Sequence, residues 1–475
     1  MLTPTLEEPA RRPLYEQLYH YIRAEILDGR LPPGERLPSK RALASHLKIS
    51  VSTIEGAYGQ LVAEGYIRAE AKRGYFVQPV DRPLIPQGIP AVPETPPTPA
   101  LPPIRYDFST NAADTALFPF STWARLSREV LSRRDSTLLS ALPPQGAPEL
   151  RQAIVRHLHH FRGIQASPEQ VVVGAGSEYL LTLLVQLLGR TGRYGVEDPG
   201  YPKTARILSA NGCTVAPVPL DQDGLRVDAL DAAGVQVAHV TPSHHFPLGI
   251  VMPVARRNAL LAWAASAPER YIIEDDYDSE FRFSGKPIPA LQGLDRQGRV
   301  IYLNTFAKSL APALRISYLV LPPSLLERYR RELLFYSSTV PSFEQYTLAL
   351  FMEGGHFQRH IARTRTRYRA RKEALLAAAQ ESGLLERGRF LGADTGLHLL
   401  LQLRDPRPEQ ALADLAERAG LRLSPLSDYY LCPPEGTHPP TLVLGYARLQ
   451  PQDMVPAFQR LVRAWKGVDI PDGTC

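Results

Sequence analysis

The run Tyr271-Ile272-Ile273-Glu274-Asp275-Asp276-Tyr277 sets a short β-branched strand directly before an acidic loop, and Val300-Ile301-Tyr302-Leu303 leads in the same way into Asn304-Thr305-Phe306-Ala307-Lys308. Similar apolar runs alternate with longer amphipathic stretches, as where Val171-Val172-Val173 precedes Tyr179-Leu180-Leu181-Thr182-Leu183-Leu184. Such alternation predicts an α/β domain built on a largely parallel sheet. Asp275 and Lys308 then fall just past the carboxyl ends of two strands, where open α/β sheets bind their ligands. From about residue 350 onward, helix-like segments flank Leu397-His398-Leu399-Leu400-Leu401 and Thr441-Leu442-Val443-Leu444, which predicts a smaller α+β lobe. No internal repeat is visible.

At 475 residues the chain suits two or three domains, and an apolar content of 44% is ordinary for a globular protein with a sizeable core. Cys213, Cys432 and Cys475 are far apart and odd in number, which argues against a disulfide framework or a structural zinc site and fits a reducing cytoplasm. No apolar run reaches the length of a membrane span, and the N-terminus lacks a signal-peptide core. A soluble, cytoplasmic protein with no membrane contact is therefore expected. The net charge of +6 permits nucleic-acid binding without requiring it, since residues 1–80 hold eleven Lys and Arg against nine Asp and Glu.

Residues 81–104 contain nine prolines, a density at which neither helix nor sheet closes its hydrogen bonds. They read as a linker, spanning roughly 70 Å if extended at about 3.1 Å per residue. Ahead of it, Leu14, Leu18, Ile22 and Ile26 fall on one helical face. Ser39 is placed to cap a short helix bearing Leu43 and Leu47, and Ser50 to cap a third with a stripe of Ile54, Tyr58, Leu61 and Val62. Gly65-Tyr66-Ile67-Arg68 and Tyr75-Phe76-Val77 read as strands around the tip Lys72-Arg73-Gly74. Three helices and a basic-tipped hairpin make a winged helix-turn-helix, over residues 1–80, suited to a double-stranded DNA operator. The body is then expected as a large domain over 105–349 and a small domain over 350–475.

The body carries the parts of a pyridoxal 5'-phosphate site. Lys308 supplies the amine for an imine, Arg315 a cation for the phosphate, Asp275 an acid for the ring nitrogen and Tyr277 a phenol for the ring oxygen. Gly174-Ala175-Gly176-Ser177-Glu178, at a strand-to-helix junction, offers backbone N–H groups to the phosphate, with Gly176, Ser177 and Glu178 as the residues of choice and Thr305 adding a hydroxyl. Glu274-Asp275-Asp276 alone reads equally as a metal site or a solvated turn. Lys308 downstream favours the cofactor, and no metal is expected.

Two stretches carry resemblances. Leu37-Pro38-Ser39-Lys40-Arg41-Ala42-Leu43-Ala44 and Ala57-Tyr58-Gly59-Gln60-Leu61-Val62-Ala63-Glu64-Gly65-Tyr66-Ile67 resemble the DNA-binding domain of the GntR family of bacterial repressors. That resemblance implies that Arg41, Ser52 and Thr53 face DNA, with Lys72, Arg73 and Gly74 at the wing. Val51 stands where the family commonly has arginine, so base preference is expected to differ. Glu197-Asp198-Pro199-Gly200-Tyr201-Pro202, Thr241-Pro242-Ser243-His244 and Thr305-Phe306-Ala307-Lys308 resemble fold-type I aminotransferases. The two-part arrangement resembles the MocR/GabR class of GntR-family regulators. By this likeness Lys308 forms the internal aldimine and is the catalytic residue, Tyr201 stacks on the cofactor ring, and the body forms a homodimer, for which the likeness allows a head-to-tail form.

The chain departs from the aminotransferase pattern where substrate is held. Val443 takes the place of the usual carboxylate-binding arginine, Ala141 that of a tyrosine reaching the partner subunit, and Phe246 that of an asparagine. Lys203 and Arg448 are the candidate carboxylate anchors for a substrate or effector, and His244 or His245 the candidate for the missing polar contact. His157, His159 and His160 are expected on an exposed helix surface, and His398 as a packed or edge residue. Two functions compete: a transcriptional regulator that senses pyridoxal phosphate or an amine or amino-acid effector, and an active aminotransferase with an autoregulatory DNA-binding domain. The loss of the arginine favours the regulator, with residual aminotransferase activity left open.

Overall fold

The computed structural model describes residue 2 and residues 13–80, 103–110, 114–133, 135–283, 288–392, 396–433, 436 and 438–467. The proline-rich linker lies, but for its last two residues, outside the described residues, as does Cys475. The chain divides into two compact units, residues 1–98 and 99–475.

In the first unit, helices α1 (Leu14–Leu27), α2 (Lys40–Leu47) and α3 (Val51–Ala63) pack beside a three-stranded antiparallel sheet of order β1-β3-β2, with β1 at Arg36–Leu37, β2 at Ile67–Glu70 and β3 at Gly74–Val77. Leu18, Ile22, Leu43, Ile54, Tyr58 and Leu61 are fully buried and form its core. Both serine caps are present: Ser39 Oγ accepts from Ala42 N–H at 3.2 Å and Ser50 Oγ from Thr53 N–H at 3.1 Å. Each satisfies a donor that a helix start otherwise leaves unpaired. Val62, expected in the buried stripe, is 37% exposed. It stands one residue, about 100° of helix turn, off the line through Ile54, Tyr58 and Leu61.

The second unit is organised by an eight-stranded sheet of order β5-β12-β11-β10-β9-β6-β7-β8. Its strands are β5 (Val171–Gly174), β6 (Arg193–Asp198), β7 (Thr214–Asp221), β8 (Gly224–Leu225), β9 (Val237–Val240), β10 (Tyr271–Asp275), β11 (Val300–Thr305) and β12 (Ser317–Val320). The central run β7, β6, β9, β10 and β11 is parallel, while β12 and β8 are reversed. Apolar clusters on its two faces bury both sides, which is why these strands read as continuous apolar runs.

A second, antiparallel sheet of order β13-β14-β17-β16 follows, from β13 (Gly388–Leu391), β14 (His398–Leu403), β16 (Ser424–Pro425) and β17 (Thr441–Gly445). The start of the body joins this smaller lobe: β4 (Tyr106–Asp107) pairs in parallel with β15 (Leu421–Arg422), and Phe108 stacks on Phe458 with ring centres 5.6 Å apart. Tyr106, Asp107 and Phe108 therefore pack on the small lobe before the chain passes towards the strand ends of the large one.

Helix α4 (Phe120–Ser132) and helix α5 (Pro148–Arg162) lead into the sheet, and α5 ends in a fully buried arginine. Arg162 Nε lies 2.8 Å from Asp276 Oδ2, with the Arg162 side chain also donating to Ser243 Oγ at 2.6 Å. On the same helix, His157 packs between Phe161 and Phe357, at 5.4 and 5.1 Å. It is not the exposed residue that its neighbours suggested, because it faces inward while His159 and His160 stay exposed. Burial pushes its pKa down to about 4.

Removing one member of a buried ion pair strands the other charge in apolar surroundings. Arg162→Ala should therefore cost about 3–5 kcal/mol, read as a lower urea midpoint at unchanged slope; a midpoint within error of the parent would contradict this account of Asp276.

Candidate functional site

A cavity of about 360 Å³ opens at the carboxyl ends of β6, β9, β10 and β11. Its wall brings together Lys308, Asp275, Tyr277, Tyr201, Arg315, Thr305, Gly176, Ser177, Glu178 and Lys203, ten side chains or turns singled out from the sequence. Lys308 follows β11 through a single turn of helix, Phe306–Ser309, whose start is capped by Thr305. Its Nζ donates to the carbonyl of Thr110 at 3.0 Å, so residues 103–110 deliver a contact to the lysine. Burial lowers the Lys308 pKa to about 8, with Asp278 opposing and Arg448 reinforcing the shift. A usable fraction of the neutral, nucleophilic amine is thus present near neutral pH.

The acidic run separates into three roles. Glu274 is fully buried and accepts from Leu291 N–H at 2.7 Å and Gln292 N–H at 2.8 Å, capping the helix Leu291–Leu294. Asp276 is held by Arg162, by Tyr302 Oη at 2.5 Å and by Ser279 Oγ at 2.8 Å. Only Asp275 faces the cavity, 3.4 Å from His239 Nε2. Among the described residues no group of three or more His, Cys, Asp or Glu is placed to hold a metal ion.

Aromatic groups line the opposite side. Phe246 meets Tyr201, Tyr277, His398 and Tyr429 edge-on, with centroids 5.9, 6.4, 5.0 and 5.1 Å away. Neither His244 nor His245 reaches the cavity wall where Phe246 stands. His244 lies behind Tyr277, its Nδ1 3.1 Å from Tyr277 Oη and 2.8 Å from Asp278 Oδ2. Burial raises the Tyr277 pKa well above the ordinary phenol value, with Asp278 adding to the effect. His245 turns towards Glu197, and burial lowers its pKa to about 3. His398 does line the cavity, on central strand β14; it is packed rather than at an edge, with Nε2 2.8 Å from the carbonyl of Pro247.

The glycine turn joins β5 to helix α6 (Ser177–Leu188). Gly176 has φ 99°, a left-handed conformation that suits glycine, and a Cβ there would stand 2.2 Å from Arg315 Nη2. Thr305 Oγ1 accepts from Ser317 Oγ at 2.8 Å, which leaves its own proton free to donate. Arg315 and Lys203 both pair with Glu178. The Glu178 carboxylate therefore competes for the cations of the turn, while its backbone N–H stays at the amino end of α6.

Arg448 is not part of the cavity wall, lying exposed with Nη1 3.5 Å from Asp107 Oδ2. Val443 is fully buried in β17, and Ala141 is exposed. In the first unit Arg41, Ser52, Lys72 and Arg73 are exposed, and Thr53 and Gly74 partly so. Arg73 pairs with Glu70 at 2.6 Å, whereas Arg41 and Lys72 have no ion-pair partner among the described residues. Glu55, one turn after Val51, is neutralised by Lys40.

Residues 105–461 match the family described as aminotransferase class I and II, and residues 14–77 that of bacterial regulatory proteins, gntR family. The chain is 40% identical to the uncharacterized HTH-type transcriptional regulator YhdI of Bacillus subtilis, over 98% of both chains. It is 32% identical to the probable rhizopine catabolism regulatory protein MocR of Rhizobium meliloti, over 98% of this chain and 96% of that one. This chain belongs to the MocR-type regulators of the gntR family. The body of this MocR-type chain also resembles the multiple substrate aminotransferase of Thermococcus profundus, with a TM-score of 0.66, 25% identity and coverage of 76% of this chain and 91% of that one.

The family's cofactor is pyridoxal phosphate, and the donors present fit it. A cavity of this size holds one small ligand, with the Lys308 amine, the Asp275 carboxylate, the Tyr277 phenol and an arginine-topped glycine turn around it. Three wall residues escaped sequence reasoning. His239 is a single histidine inside the apolar strand Val237–Val240; its buried Nε2 has no hydrogen-bond partner and points at Asp275. Glu197 is buried and accepts from Thr241 N–H and Oγ1 at 3.0 and 2.6 Å, with burial raising its pKa to about 7. Thr110 sits 198 residues from the lysine it contacts.

Because the Lys308 ammonium loses its proton near pH 8, its labelling by an amine-reactive reagent should rise with pH to a midpoint near pH 8. Peptide mass spectrometry across pH 6–11 checks this (a range about the ordinary lysine value, roughly 10.4); a midpoint above 10 would refute the buried placement.

Proposed function

We propose that the chain is a pyridoxal-phosphate-dependent transcriptional regulator of the cytoplasm, whose body senses the cofactor itself or a primary amine and whose winged helix carries the response to an operator. The observation that carries this reading is the placement of Lys308, with its lowered pKa, in one cavity with Asp275, Tyr277 and Arg315, on a chain that also carries a gntR-family head. Bound there, the cofactor would supply an aldehyde for a covalent tie and a ring able to draw electrons from it. Lys308 would make the tie and yield it to an incoming amine. Asp275, steadied by His239, would keep the ring nitrogen protonated, since an adjacent carboxylate favours the cation. Tyr277 would donate to the ring oxygen, with His244 fixing its hydroxyl, and Tyr201 would cover the ring face. Arg315, Thr305 and the turn at Gly176 and Ser177 would hold the phosphate.

Efficient turnover of α-amino acids needs a fixed carboxylate anchor. Here the usual position is the buried Val443, Arg448 is paired with Asp107 outside the cavity, and Lys203 is paired with Glu178. Loss of that anchor removes orientation as well as affinity, which favours sensing over catalysis. The exposed Leu139, Leu334 and Phe335 support a homodimer: their segments are joined where Ser342 Oγ donates to the carbonyl of Leu138 at 2.6 Å, and Thr339 Oγ1 accepts from Ala175 N–H of the glycine turn at 3.0 Å. In the head, Arg41 and Lys72 are the residues best placed to meet phosphates, with Ser52, Thr53, Arg73 and Gly74 beside them.

Footprinting of the operator with and without pyridoxal phosphate and a panel of primary amines tests the proposal. The footprint or affinity should change with ligand in the parent and stay fixed in Lys308→Ala. An unchanged parent would refute sensing, and repeated turnover with a keto acid would favour the aminotransferase. Independently, Lys72→Ala should weaken binding across sequences and lower the salt slope by about 1, measured by fluorescence anisotropy.

A further inference from the structure

The phosphate cradle already contains an anion that belongs to the chain. Glu178 lies in the first turn of α6, and its carboxylate reaches Arg315 and Lys203 at once. Of the three Lys and Arg side chains in the described cavity wall, it engages two, leaving only Lys308 without a carboxylate partner. The carboxylate also lies over the glycine turn. A Cβ built on Gly176 would be 2.8 Å from Glu178 Oε2 as well as 2.2 Å from Arg315 Nη2, so guanidinium and carboxylate together cover the backbone that a phosphate would approach.

The position is chemically apt for an internal ligand. The amino end of a helix attracts negative charge, whether it comes from a side chain or a bound phosphate. These contacts, with its own backbone amide, outweigh burial and lower the Glu178 pKa to about 2, so the carboxylate stays ionised throughout the physiological range. A phosphate monoester carries about two negative charges and three acceptor oxygens, more than the single carboxylate. It can therefore displace Glu178, but only from cations that are already satisfied. A ligand that carries no anionic group has no means of doing so.

We propose that Glu178 is an internal occupant of the phosphate cradle, which a phosphate monoester must displace from Arg315, so that cofactor occupancy follows cofactor concentration instead of remaining permanent. This deepens the reading given above and rests on it for the identity of the ligand. It also assigns selectivity: Glu178 weakens phosphate-bearing ligands and leaves pyridoxal, which lacks the phosphate, untouched. A surface ion pair of no consequence would have neither effect, since exposed pairs contribute little by themselves.

The experiment compares the full-length parent with Glu178→Gln, titrating each with inorganic phosphate, pyridoxal phosphate and pyridoxal by calorimetry, with the melting temperature as a check on folding. Removing the competing charge should tighten inorganic phosphate and pyridoxal phosphate by about tenfold, the order expected of one opposing charge a few ångströms away. Pyridoxal affinity should not change. Unchanged or weaker phosphate binding in Glu178→Gln would overturn the proposal, as would equal tightening of pyridoxal. Glu178→Ala, which also removes the charge, should tighten phosphate in the same direction, and a loss of affinity in both variants would make Glu178 a structural support of the turn. Borohydride trapping at Lys308 reports separately on the cofactor: tightened phosphate without trapped lysine would uphold the internal anion while refuting pyridoxal phosphate as its competitor.

Discussion

Arg162 and Asp276 are both removed from water, and the rest of the site is built around that pair. An ion pair in apolar surroundings is weakly favoured at best, and holds only when its remaining donors and acceptors are also met. Here Ser243, Ser279, Tyr302 and the carbonyl of Ile288 meet most of them, Arg162 Nε lying near Asp276 without a hydrogen bond, and they tie the end of α5, the loop after β9 and strand β11 to one carboxylate. Successive side chains of an extended chain point to opposite faces. With Asp276 held on one side, and its own N–H bonded to the carbonyl of Leu303, Asp275 is left facing the cavity.

The same economy of charge governs the cations of the body. Lys203, Arg315 and Arg448 each meet a carboxylate, and the small-lobe position that would carry a further cation is an apolar valine in the middle of a sheet. What remains uncommitted is the chemistry around Lys308: an amine near its titration point, a carboxylate with a buried histidine behind it, and a phenol whose hydroxyl is held in place. These are the groups proposed above to capture a carbonyl cofactor. They do not provide a second anchor for a substrate's far end.

Much of this was legible in the sequence because it is local. Strands end where apolar runs end, and the cavity opens at those ends, so Asp275, the last residue of β10, and Lys308, three residues past β11, could be placed at its wall from their neighbours alone. The serine caps and the hairpin of the first unit were legible for the same reason. What escaped depends on contacts between distant segments. Nothing near Thr110 announces that it meets Lys308, because the meeting depends on β4 joining the small lobe. His239 resembles any residue of a buried strand until β10 brings Asp275 beside it. The histidines after Ser243 were expected to replace the lost asparagine, but one turns behind Tyr277 and the other towards Glu197, because Phe246 takes the position at the wall. Glu178 was identified in the turn, yet its direction, towards the cations, was not.

Asp198 ends strand β6, and its two oxygens accept from the backbone N–H groups of Leu431 and Cys432 at 2.8 and 2.9 Å, while Gly200 N–H donates to the carbonyl of Tyr429 at 3.0 Å. Those partners come from the small lobe, and the residue after Gly200 is Tyr201. The two lobes are thus fastened within three residues of the ring that would cover the ligand. A displacement of the smaller lobe would therefore be carried to Tyr201 through three hydrogen bonds donated by backbone N–H groups.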